Sequence, residues 1–160
     1  MRQQRRPLFH HAKMRLSLVL GLLMLVFGSL KIVNPTIDGW FHVQIQQSHL
    51  PHAAILMGKI AEIVTGILFL LPLVRTWPPR WANRLLLLAC GSLFGVMLVA
   101  IYVHLHPGVP PDVLPLGIKP PVLPVFVFLL GVMVAIPAWQ EERTEERRAL
   151  PPGERSPQTS

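Results

Sequence analysis

Within the apolar run Ala53–Val74, the stretch Met57-Gly58-Lys59-Ile60-Ala61-Glu62 places a lysine and a glutamate three residues apart. On an insertion scale two central charges cost about 5–7 kcal/mol, against about 4–8 kcal/mol returned by the run's thirteen Ile, Leu, Val, Met and Phe residues. Such a segment is close to break-even in lipid alone, so Lys59 and Glu62 are expected to face protein. Residues three apart share neighbouring parts of a helix face. The pair is therefore either a buried ion pair that fixes helix packing or a polar site inside a bundle. Lys31 closes the preceding apolar run, and His104 and His106 end a later one. Carboxylate and lysine together could relay protons to a quinone or hold a polar head group. His49-x-x-His52 and His104-x-His106 could supply imidazoles to zinc, copper or haem iron. Histidines at a membrane boundary equally need ligate nothing, and no metal is assigned from them.

The elements that must position these groups follow from length and patterning. The chain has 160 residues, 51% of them hydrophobic, and a mean hydropathy of +0.47. That suits one small membrane domain. Four apolar runs are expected to span, at about 16–33, 53–74, 85–103 and 122–139, giving an all-α four-helix transmembrane bundle with short loops. A basic leader, 1–15, precedes it and a charged tail, 140–160, follows, with disorder expected beyond Pro151. The leader is read as retained, because the first run is long for a signal peptide and no small-x-small cleavage site follows. Between the first two spans, Ile37, Trp40, Phe41, Val43 and Ile45 recur at three- and four-residue steps, which predicts a short interfacial helix. The loop 104–121 is rich in proline and reads as a stiff, extended cap. Alternating Glu and Arg from Glu141 to Arg148 could carry the last helix onward.

A net charge of +7 raises the question of nucleic acid. The basic residues instead occupy the leader, the connection 75–84 and the tail, where they orient a membrane protein, and no basic patch is interleaved with aromatics. Positive-inside places both termini in the cytoplasm. Counting about 1.5 Å per residue from Pro51 sets Lys59 roughly 12 Å and Glu62 roughly 16 Å deep. Lys31, Lys59, Glu62, His104 and His106 then converge on the outer half of the bundle. Gly58, Ala61, Thr65 and Gly66 offer the second span a close-contact face, Gly91 and Gly95 form a G-x-x-x-G spacing in the third, and Gly131 and Ala135 serve the fourth. Cys90 is the only cysteine, so thiol–disulfide cycling within the chain has no resolving sulfur.

Gly28-Ser29-Leu30-Lys31-Ile32 before a proline, Ala61-Glu62-Ile63-Val64-Thr65-Gly66-Ile67-Leu68 in the second span and the proline-bearing turn after the third together resemble the DoxX-like family of small four-helix membrane proteins. The resemblance covers roughly residues 15–139. It implies a bacterial inner-membrane protein, in some relatives a subunit of an oxidoreductase assembly that delivers electrons to quinone. Related bundles that work through paired cysteines are no guide here, because Cys90 stands alone. Two functions of different classes follow. One is an accessory or anchoring subunit of a membrane redox complex, with a protein partner and no thiol chemistry of its own. The other is a quinone- or lipid-binding protein or enzyme that uses the intramembrane Lys/Glu pocket.

Overall fold

The computed structural model describes residues 6–74 and 77–149. Among them are five α-helices: α1 (Arg6–Val33), α2 (Pro35–Gln47), α3 (Ala53–Val74), α4 (Pro79–Leu105) and α5 (Val122–Ala149). Helices α1, α3, α4 and α5 are each long and apolar enough to cross a bilayer. They close a ring in which α1 packs on α3, α3 on α4, α4 on α5 and α5 back on α1. No more than a third of each span's most apolar stretch is buried within the chain. Leu22, Ile60, Leu88 and Leu129 are each at least half exposed, an apolar surface that water would not tolerate and acyl chains would. The chain is a multi-pass integral membrane protein.

Small residues set how closely the helices approach. A Cβ on Gly66 of α3 would lie 2.9 Å from the Gly21 carbonyl oxygen of α1. On Gly131 of α5 it would lie 2.7 Å from Leu93 and 2.9 Å from the Phe94 ring of α4. These approaches enclose a core of Leu20, Met24, Phe69, Leu86, Leu93 and Val134. The G-x-x-x-G spacing behaves otherwise. A Cβ on Gly91 or Gly95 would meet no atom of another helix within 4 Å, and both glycines are exposed.

Three helices run past their expected bounds: α1 already begins at Arg6, inside the segment expected to be a leader, and α4 and α5 are also longer than their apolar runs. Helix α4 starts at Pro79, where proline at a first-turn position gives up no needed hydrogen bond and arrives with helical φ. That brings Asn83 and Arg84 onto the helix. Helix α5 continues past Trp139 to Ala149, with Arg143 stacked 3.8 Å from the Trp139 ring centroid. The disorder expected beyond Pro151 lies outside the described residues.

Asn34 ends α1 and starts α2. Its side-chain oxygen accepts from the Thr36 N–H at 3.0 Å and the Ile37 N–H at 3.3 Å, and Pro35 follows at the first helical position. The short helix expected between the first two spans is α2, with Phe41 and Ile45 buried and Trp40 exposed.

The proline-rich segment is folded rather than extended. It makes two 3₁₀ turns, Pro111–Val113 and Pro115–Gly117, with left-handed backbone at Leu116 (φ 62°) and Gly117 (φ 64°). Proline supplies no N–H, so carbonyls in this segment need donors from elsewhere. The Lys119 ammonium donates to the His106 carbonyl at 2.6 Å and also to the Val109 carbonyl, while Gln44 of α2 donates to the Val113 carbonyl. Burial of Val109, Val113 and Leu114 against Val103 completes a compact cap.

Candidate functional site

Glycine at position 28 brings α1 against α3 at Glu62, since a Cβ there would sit 3.2 Å from the Glu62 Cβ. One turn later on the same face of α1, Lys31 reaches the Glu62 carboxylate and ion-pairs through Oε1. The side chains are 16% and 10% exposed, so the pair is largely shielded from solvent. The Lys31 ammonium also lies 4.2 Å from the centroid of the Phe41 ring, a cation–π contact supplied by α2. Phe41 itself fills the notch at Gly58, where a Cβ would meet its ring at 2.8 Å.

Lys59 does not pair with Glu62, contrary to the expectation from their spacing. Its ammonium lies 2.5 Å from Asp38 Oδ1 on α2. Sharing a helix face fixes only a neighbourhood, and each side chain turns to the charge that another helix presents. Glu62 meets α1, whereas Lys59, one turn nearer the α2 end, meets α2. The Lys59 ammonium beside it holds the Asp38 carboxyl below its ordinary value, and His42, 3.2 Å away, acts in the same direction. Asp38 escaped the sequence reading because its partner is on another helix. Its only local signal is the i, i+4 spacing to His42.

Beneath α2 and beside the Lys31–Glu62 pair lies a cavity of about 620 Å³. Its walls come from all five helices and are overwhelmingly apolar, with Lys31, Glu62, Gln44, Ser92 and His104 as polar members. Phe27, Trp40, Met57 and Val99 line it and are also exposed, so the space communicates with the surface of the bundle. Its size falls within the range of small-molecule sites, and an apolar lining with few polar groups is their usual character.

The histidines separate. His104 is buried, lines the cavity and has Nδ1 2.8 Å from the Ala100 carbonyl, which accepts the Nδ1 proton. His106 lies outside that cavity and packs edge-on against His49, with ring centroids 5.3 Å apart. His52 faces His42 at 6.4 Å. Among the described residues, no three of His, Cys, Asp and Glu gather as a set that could hold a metal ion. Cys90 is buried in the core, with its thiol 3.6 Å from the Gly131 carbonyl.

A second polar cluster joins α1, α4 and α5 at the other end of the bundle. Lys13, whose side chain is 1% exposed, donates to Glu141 at 2.6 Å and to Asn83 Oδ1 at 3.0 Å. Arg84 pairs with Glu142 at 2.6 Å. Sequence reasoning counted Lys13 with the leader and Glu141 with the tail. Their 128-residue separation left no local signal of the contact.

The chain matches no protein-family model, no curated protein and no solved structure.

Proposed function

We propose that this membrane protein binds an amphiphilic small molecule, its apolar part in the cavity beneath α2 and its polar head at Lys31 and Glu62. The observation that carries the reading is the coincidence of a roomy apolar cavity with a shielded ion pair at its wall. A purely structural pair would need no adjoining space. A lipid-like occupant suits the site better than a quinone. Quinone carbonyls accept hydrogen bonds but offer none, so a quinone could use Lys31 yet would leave Glu62 Oε2, which has no partner among the described residues, unsatisfied. The reading takes the Lys31 end as the outer half of the bundle and both termini as cytoplasmic, in keeping with the basic residues at the opposite end.

A second reading keeps the likeness to the DoxX-like family and makes the chain an accessory or anchoring subunit of a membrane redox complex. Gly91 favours it, because it is exposed on α4 with open space beside it where another helix could approach closely. Purification in mild detergent followed by mass spectrometry of bound lipid, quinone and protein separates the two. A stoichiometric lipid supports the first, and a stoichiometric redox protein with no small molecule supports the second.

A further inference from the structure

The head group that the cavity accepts can be specified further, and this step rests on the amphiphile-binding reading above. We infer that the occupant is an uncharged lipid with a hydroxyl head, of the diglyceride or long-chain alcohol class. Two observations lead there. The first is charge balance. The cations facing this region, Lys31 and Lys59, are already met by Glu62 and Asp38. Among the described residues neither lysine is left unpaired to offset an anionic head, and a cationic head would have to compete with Lys31 for Glu62. Desolvating an uncompensated charge is costly, so a neutral head is selected.

The second observation is the unmet acceptor. Glu62 is 8% exposed and uses Oε1 for Lys31, while Oε2 is buried with no hydrogen-bond partner among the described residues. Buried polar atoms are nearly always satisfied, and each exception calls for an explanation. The cavity that Glu62 lines is the place from which a donor can come. Lys31, for its part, has three N–H groups and only Glu62 and the Phe41 ring as described partners. A hydroxyl answers both needs, since it donates to Glu62 Oε2 while its oxygen accepts from Lys31. An ether or ester oxygen can accept only, and a phosphate brings the charge that the site cannot balance.

The test uses the full chain, purified in detergent micelles, with radiolabelled dioleoylglycerol as probe. Unlabelled competitors are dioleoylglycerol, its methyl ether and dioleoyl phosphatidic acid. Capping the hydroxyl changes one hydrogen bond in the ligand and nothing in the protein, so folding of a variant is not at issue. The ether and the phosphatidic acid should each compete at least about tenfold more weakly, the scale set by one hydrogen bond to a charged acceptor. Ala61→Phe, which places a ring in the cavity beside Glu62, should abolish probe binding with an unchanged melting temperature. Equal competition by the ether would mean that Glu62 is not accepting from the head group, and would overturn the hydroxyl assignment while leaving amphiphile binding in place. Equal competition by phosphatidic acid would overturn the neutral-head argument. Failure of every lipid to bind would overturn this inference and the wider reading together.

Discussion

Lys31 and Glu62, on α1 and α3, are ion partners, although Glu62 has another lysine only three residues away on its own helix. Breaking a buried pair from one side leaves an uncompensated charge and costs about 3–5 kcal/mol. Glu62→Gln and Lys31→Met should each lower stability on that scale, measured by equilibrium unfolding in mixed micelles, and the double variant should cost clearly less than the sum. Glu62→Gln with Lys59→Met should couple more weakly than Glu62→Gln with Lys31→Met, because Glu62 and Lys59 share no partner. Coupling of Glu62 to Lys59 rather than to Lys31 would contradict the pairing.

Asp38 fastens α2 to α3 through Lys59, and the sign of its pH dependence follows. A carboxyl held below its ordinary 3.8 contributes stability that is fully present above pH 3.8 and lost as pH falls through the lowered value. Hydrogen exchange in α2 should therefore speed up only in strong acid, and Asp38→Asn should show the faster exchange at neutral pH. Unchanged protection of α2 in both cases would show that Lys59 does not hold the helix down.

At the opposite end, exposure decides between two basic residues. Lys13→Met leaves the Asn83 oxygen buried without its donor, whereas Glu141, at 41% side-chain exposure, can turn to water. The expected loss is about 1–3 kcal/mol, that of one stranded buried polar group. Arg80, half exposed and 3.9 Å from Glu142, belongs with surface pairs worth about 0–1 kcal/mol. Arg80→Ala should be nearly silent in the same unfolding assay. A larger loss from Arg80→Ala than from Lys13→Met would reverse this ranking.

Orientation is open to direct test. Reporter fusions after Pro111 should behave as exported and those after Arg80 as cytoplasmic, as the basic leader, connection and tail require. The inverse pattern would place the cavity on the cytoplasmic side.

The helices were legible in the sequence because each rests on signals within about twenty residues: apolar runs, the Asn34-Pro35 break and the three-and-four periodicity around Phe41. The burial of Glu62 was legible too, since a charge inside an apolar run must find protein. Its partner was not. Whether Glu62 meets Lys31 or Lys59 depends on Gly28 bringing α1 close and on α2 folding back to present Asp38, both consequences of packing between helices. Lys13 was read as an orienting charge for the same reason, because Glu141 reaches it only once α5 outruns the apolar segment. The proline-rich loop misled in another way. Proline density predicts extension, but Lys119 supplies the donors that let the segment fold.

The central claim is that an amphiphile occupies the cavity at Lys31 and Glu62, and photo-crosslinking in the membrane tests it most directly. A lipid carrying a diazirine next to its head group would be activated in membranes containing the full chain, and adducts mapped by peptide mass spectrometry. The account predicts adducts concentrated on the cavity residues Phe41, Ala61 and Val96. Labelling confined to the bilayer-facing Ile60, Leu88 and Leu129, with the cavity residues unmodified, would contradict it.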